Sequence, residues 1–220
     1  MADVTKLRVL CLHGYGHNAK AFKNGIGAFR ESTKDLLDLE FVDAPHHLPS
    51  STYSANDDTT ARAWWYSTLS DASLRGLELP HYSAVFEESR KVIEETWISR
   101  GPFDGIFGFS QGASMAALVL CLQALGNIET DFNFGVIVAA FKSRSLPLCQ
   151  DIFSSPNLVT VPTLHIIGGT DTMVPKERSL EIVEHFASPT VVFHPGGHCV
   201  PTSGKCKIEY MNFLTHQLQR

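Results

Sequence analysis

The stretch that decides the fold is Phe103-Asp104-Gly105-Ile106-Phe107-Gly108-Phe109-Ser110-Gln111-Gly112-Ala113-Ser114-Met115-Ala116-Ala117-Leu118. Its first half reads as a short buried strand and its second half as an apolar helix. Between them stands G-x-S-x-G, Gly108 to Gly112, which is the context of a nucleophile elbow. A serine on so tight a turn projects its hydroxyl outward, and the flanking glycines remove side chains that would collide there. The helix then starts at the turn, so its N-terminal N–H groups face any negative charge that develops beside the serine.

A serine hydroxyl is a weak nucleophile near neutral pH and needs a general base. After this kind of elbow the chain order is serine, acid, histidine. Asp171 follows the strand-like run Thr163 to Gly168, within Gly169-Thr170-Asp171-Thr172-Met173-Val174-Pro175. His198 follows the run Thr190 to His194, at the end of the flexible turn Pro195-Gly196-Gly197. Ser110, Asp171 and His198 are therefore the expected catalytic residues. The competitors are weaker: His194 ends a strand, Asp131 and Asp151 flank no suitable strand end, and Cys199 is not on the elbow. The first strand ends in Leu10-Cys11-Leu12-His13-Gly14-Tyr15-Gly16-His17. Its glycines let the backbone approach a substrate, so the N–H groups of Tyr15 and Gln111 are the expected oxyanion donors, with His13 ordering the loop. His13 and His17 lack the H-E-x-x-H pattern on a helix, so no metal site is expected, and the chemistry needs no cofactor.

The same strand–helix rhythm runs through the chain. Strand-like runs cover Leu7 to His13, Leu39 to Asp43, Phe103 to Phe109, Phe134 to Ala140, Thr163 to Gly168 and Thr190 to His194. Helical patterns cover Ala19 to Leu37, Tyr82 to Ser99, Gln111 to Leu125, Lys176 to Phe186 and Lys205 to Gln217. Apolar strands joined by helices predict an α/β fold of three layers, with a mostly parallel sheet of about six strands covered on both faces. Nothing repeats and no linker divides the chain, so one domain is expected over 1–220. Two stretches break the rhythm, at about 45–80 and 141–162, and each follows a strand. Long loops at strand C-termini are the expected substrate walls. The first carries Trp64-Trp65-Tyr66, which lines an acyl pocket or simply packs the loop onto the sheet. Phe109, Phe141, Met115 and Met173 are further pocket candidates. Lys142 and Arg144 bind an anionic group or belong to a solvated loop.

Composition narrows the function class. The chain has 220 residues, 44% apolar and 19% charged, with a formal net charge of −5. That is globular, and the acidic balance without a Lys/Arg block argues against nucleic acid or an anionic membrane as partner. No apolar run reaches the roughly 18 residues of a membrane span. The first residues do not read as a signal peptide, and no lipidation motif is present at either end. Five cysteines without a C-x-x-C pair fit a reducing compartment, the cytosol or the nucleus.

The quoted pieces, together with Asp43-Ala44-Pro45, Arg62-Ala63-Trp64-Trp65, Gly168-Gly169-Thr170-Asp171 with Val174-Pro175, and Gly197-His198, resemble the FSH family of serine hydrolases. The similarity runs over nearly the whole chain and is poorest between Pro49 and Pro80. It implies an α/β-hydrolase fold and a cytosolic or nuclear hydrolase of carboxylic acyl esters, with Ser110, Asp171 and His198 as its triad. The partner is then a small-molecule acyl ester. The alternatives are an acyl thioesterase, which uses the same triad, and a non-catalytic ligand-binding protein on a hydrolase scaffold.

Overall fold

The computed structural model describes residues 6–48, 61–66, 82–143, 146, 148–153 and 158–220. Most of the stretch expected as a substrate wall at 45–80, together with Arg144, lies outside the described residues. In chain order the elements are β1 (Leu7–Leu12), α1 (Ala19–Gly25), α2 (Gly27–Thr33), β2 (Leu37–Val42), β3 (His46–His47), β4 (Arg62–Ala63) and α3 (Tyr82–Arg100). They continue with β5 (Gly105–Phe109), α4 (Gln111–Ala124), β6 (Phe134–Val138), α5 (Leu148–Ile152), β7 (Thr163–Gly168), α6 (Lys176–Val183), β8 (Pro189–His194) and α7 (Gly204–Leu218).

Six strands form one sheet in the order β2-β1-β5-β6-β7-β8, and every pair is parallel. The three strands β5, β6 and β7 are buried along their whole length, whereas the edge strands β2 and β8 keep exposed positions. Parallel strands covered on both faces have no polar side to show, which is why their sequences read as continuous apolar runs. Alternation divides them between two cores. Leu10, Leu12 and Ile106 point to one, with residues of α3, α4 and α6, while Val9, Cys11, Phe107 and Phe109 point to the other, with Phe22, Phe29, Tyr210 and Phe213 of α1, α2 and α7. Helix α4 is buried at every position from Gln111 to Leu122. An apolar helix without a solvent face belongs inside a layer, and this one runs beneath the sheet's centre.

The topology places the site. From β1 the chain moves to β2 on one side and then returns to β5 on the other, so the C-terminal ends of β1 and β5 lie side by side, with Leu12 opposite Gly108. Such a switch point opens a crevice at the strand ends, where ligands bind in open α/β sheets.

Three local readings differ from the sequence expectation. The helix expected over Ala19 to Leu37 is two helices broken at Ile26 (φ −103°, ψ 28°), and Leu37 already belongs to β2. Gly25 and Gly27 weaken the helix on both sides of that break, and the edge strand needs Leu37 to reach full register with β1. The stretches expected as loops also contain the short antiparallel pair β3–β4 and the single helical turn α5. Elements this short leave no periodicity to read.

Candidate active site

The elbow is built by glycines. Ser110 takes φ 55° and ψ −119°, a left-handed backbone that a side chain adopts only under constraint. A Cβ on Gly108 would overlap the Gly112 carbonyl and the Ala113 Cα, and one on Gly112 would overlap the carbonyls of Leu12 and His13. Strand, helix and the end of β1 therefore meet at backbone contact, and only glycine fits there. Ser110 N–H donates to the Val138 carbonyl at 2.9 Å, which ties the turn to the next strand.

Ser110, His198 and Asp171 form one hydrogen-bonded line. Ser110 Oγ lies 2.9 Å from His198 Nε2, and His198 Nδ1 lies 2.7 Å from Asp171 Oδ2. The Nδ1–H tautomer donates to the carboxylate and leaves Nε2 to accept the serine proton. Asp171 is turned toward the imidazole by its other oxygen, which accepts the N–H groups of Met173 at 2.9 Å and Val174 at 2.8 Å. The His198 ring leans on Phe109, centroids 4.8 Å apart. The two loops meet because Gly168 ends β7 without a side chain: a Cβ there would stand 2.6 Å from the Gly197 carbonyl and 3.2 Å from the Asp171 Cβ. His194 plays a different part. It is buried, and its carbonyl accepts the Gly169 N–H at 2.7 Å.

The loop after β1 reaches the same point. A Cβ on Gly14 would lie 3.4 Å from Ser110 Cβ, so the backbone leading into Tyr15 passes beside Ser110. The N–H of Gln111 is the first of α4 and has no intrahelical acceptor. His13 orders this loop. Its Nε2 accepts the Ala44 N–H at 3.0 Å, so its Nδ1–H donates to the Gly14 carbonyl at 2.8 Å, and burial pushes the imidazole pKa down to about 4. His17 is lowered as well, by burial first and then by the charge of His198.

The expected wall residues are placed unequally. Met173 is 71% exposed on the Asp171 turn, and Phe141 is half-buried past β6, its N–H held by Ser114 Oγ at 2.9 Å. Met115 is fully buried, and the Trp64 and Trp65 side chains, at 0% and 1% exposure, sit in the core and present no surface. Sequence reading missed the Gln111 side chain. Its Oε1 accepts the Trp64 N–H at 2.9 Å and its Nε2 donates to the Trp65 carbonyl at 2.7 Å. A carboxamide at the buried start of a mostly apolar helix was the available signal, since a buried polar group requires partners. Lys142 stands with its Nζ 5.6 Å from the Phe153 ring centroid.

Comparison with known proteins identifies the family and the fold. Esterase OVCA2 of Danio rerio is 36% identical over 222 residues, covering 94% of this chain and 96% of its own. Esterase OVCA2 of Homo sapiens is 31% identical over 224 residues, covering 97% and 98%. Among solved structures, Arabidopsis thaliana SOBER1 superposes with a TM-score of 0.64 at 17% identity, covering 98% of this chain and all of that one. Zea mays acyl-protein thioesterase 2 gives 0.62 at 17% identity, covering 97% and 94%. These two share the fold. The model of the FSH1 serine hydrolase family matches residues 1–210, and the chain belongs to that family.

Proposed function

We propose that this protein is a serine esterase that cleaves small-molecule carboxylic acyl esters through an acyl-enzyme formed on Ser110. The observation that carries the reading is the unbroken line from Ser110 Oγ to His198 to Asp171, at 2.9 and 2.7 Å. Membership of a serine hydrolase family and relatives named esterases support it.

In the first half-reaction Ser110 Oγ attacks the ester carbonyl carbon while His198 Nε2 takes the hydroxyl proton. The carbonyl oxygen becomes an oxyanion and is met by the N–H groups of Gln111 and Tyr15, donors that are fixed before the charge appears. Asp171 holds the imidazole in its productive tautomer and stabilises the imidazolium. Collapse of the tetrahedral species breaks the ester C–O bond, and His198 returns the proton to the departing alcohol. Water then enters, gives its proton to His198 and attacks the acyl carbon, which frees the acid and restores Ser110. All these groups belong to the chain, so the reaction needs no cofactor. Phe141 and Met173 stand as the walls for the acyl chain, with Phe109 behind His198. All five cysteines are free thiols, which suits a cytosolic or nuclear setting.

Ester specificity is read from charge. Coenzyme A carries several phosphates, and a site for it normally gathers Lys and Arg. The described cations beside the Phe141 wall are Lys142, in the segment directly after β6, and Arg178, whose guanidinium lies 4.8 Å from the Phe141 ring centroid, on a chain of net charge −5. The apolar groups at the elbow suit a hydrocarbon chain, at about 0.8 kcal/mol per buried CH₂. The test is kcat/KM for uncharged esters of increasing acyl length beside acyl-CoA of matched length. The expected result is a rise over the first few carbons and a preference for the esters. Acyl-CoA ahead by about tenfold, with the lead removed by Lys142→Ala, would transfer the assignment to a thioesterase.

A further inference from the structure

The segment Arg62–Tyr66 is bound to the elbow and to the loop after β1 far more closely than a pocket wall needs. Its Trp64 N–H and Trp65 carbonyl are both held by the Gln111 carboxamide, at 2.9 and 2.7 Å. The Trp64 indole Nε1–H donates to the His13 carbonyl at 2.9 Å. Just beyond, Gly16 N–H donates to the Arg62 carbonyl, and Arg62 N–H donates to the His17 carbonyl, each at 2.9 Å. From the opposite side Ser89 of α3 donates its hydroxyl to the Trp64 carbonyl at 2.6 Å. The Gln111, Trp64 and Ser89 bonds are buried, so water does not compete for them.

The result is a closed circuit. The loop from His13 to His17 is gripped on both sides of Tyr15, and the grip is itself anchored on Gln111. Those are the two residues whose N–H groups face the oxyanion in the mechanism above. A loop carrying Gly14 and Gly16, the latter at φ 77°, has little stiffness of its own. Oxyanion donors act only when their spacing is set in advance. We propose that Trp64 and the Gln111 side chain are positioning residues that set the separation of the Tyr15 and Gln111 N–H donors, an inference that rests on the acyl-transfer reading of the site. Trp64 thereby serves the transition state and not the acyl chain, in keeping with its side chain being fully buried.

Two substitutions separate these roles. Trp64→Phe keeps an aromatic ring but removes the indole donor to His13. Gln111→Met keeps the backbone N–H of residue 111 but removes both carboxamide bonds. Each is assayed on 4-nitrophenyl esters of several acyl lengths and against an alkyl trifluoromethyl ketone, which forms a tetrahedral oxyanion adduct with the serine. Wild-type turnover that is lost in Ser110→Ala first establishes acyl transfer; its absence overturns that reading, and the positioning role with it. With turnover established, each variant is expected to lose about tenfold to a hundredfold in kcat with KM within about twofold of wild type. Ketone affinity falls by the same factor, the acyl-length profile keeps its shape, and the double variant is no worse than the weaker single one. A folded variant with wild-type kcat overturns the proposal, and so does one whose KM and acyl-length optimum shift while kcat holds. Thermal melting reports folding, and Gln111→Met carries the test should Trp64→Phe not fold. Loss of the fold in both overturns the assignment in favour of structural support alone.

Discussion

At Ser110 the backbone holds a left-handed conformation that places one hydroxyl 2.9 Å from an imidazole, the geometry the proposed nucleophile requires. Ser110→Ala is therefore expected to lower kcat by about 10⁶ and to abolish labelling by a fluorophosphonate. Circular dichroism should be unchanged, because the alanine meets the same contacts less one oxygen. A variant that keeps a tenth of the wild-type rate would mean that another group attacks. Asp171→Asn replaces the acceptor of His198 Nδ1–H by an amide that can turn the wrong tautomer toward it. The expected loss is about 10⁴ in kcat with substrate affinity little changed. His194→Gln is the control, since the backbone carbonyl bond from residue 194 to Gly169 survives substitution. A reversed ranking of the two would relocate the acid and base.

Between elements, glycines decide how closely the pieces approach. Gly112→Ala sets a methyl against the Leu12 and His13 carbonyls, where α4 meets the end of β1. Overpacking of this kind costs about 1–3 kcal/mol, and here backbone must move. Gly25→Ala is the opposite case: nothing lies within 4 Å of the added Cβ, and the residue is the last of a helix. A gain of about 0.4–1 kcal/mol is expected from the reduced freedom of the unfolded chain. Urea midpoints of the two variants should move in opposite directions from wild type. If both fall, the α1–α2 break requires glycine for a reason the contacts do not contain. The same break shows a limit of pattern reading, because apolar spacing runs through Ile26 without interruption while the backbone does not.

The whole molecule carries its own pH dependence, set by histidines that stay neutral inside it. Burial lowers His13 from 6.5 to about 4 and His165 from 6.5 to about 3. Both folded values lie below that of the unfolded chain, so on acidification the unfolded state takes the proton first. Their contribution is complete above about pH 6.5 and is lost as pH falls through the window from 6.5 toward 4 and then 3. Each histidine contributes a slope of about 1.4 kcal/mol per pH unit inside its window. Urea unfolding at pH 7, 5.5 and 4.5 should show the decline, and His165→Leu should make it shallower by one proton. An unchanged slope in that variant would place the acid sensitivity elsewhere.

By itself the sequence determined the sheet's parallel class, the G-x-S-x-G turn and the three residues, Ser110, Asp171 and His198, that the structure joins in one hydrogen-bonded line. The reason is that each of these is written locally, as an apolar run, a G-x-S-x-G turn, or an acid and a histidine just past a strand. Parallel connection then brings all the strand C-termini to one edge, so residues far apart in the chain arrive together without any further instruction. Asp171 and Ser110 meet His198 from 27 and 88 residues away on that principle alone. Only the tertiary structure decided what Trp64, Trp65 and the Gln111 side chain do. Their partners lie 46, 47 and 51 residues away, on elements whose approach is set by packing and not by period. A tryptophan read along the chain is apolar surface, whether it faces a ligand or a carbonyl. Its indole N–H acquires a role only when the fold brings the buried His13 carbonyl within 2.9 Å of it.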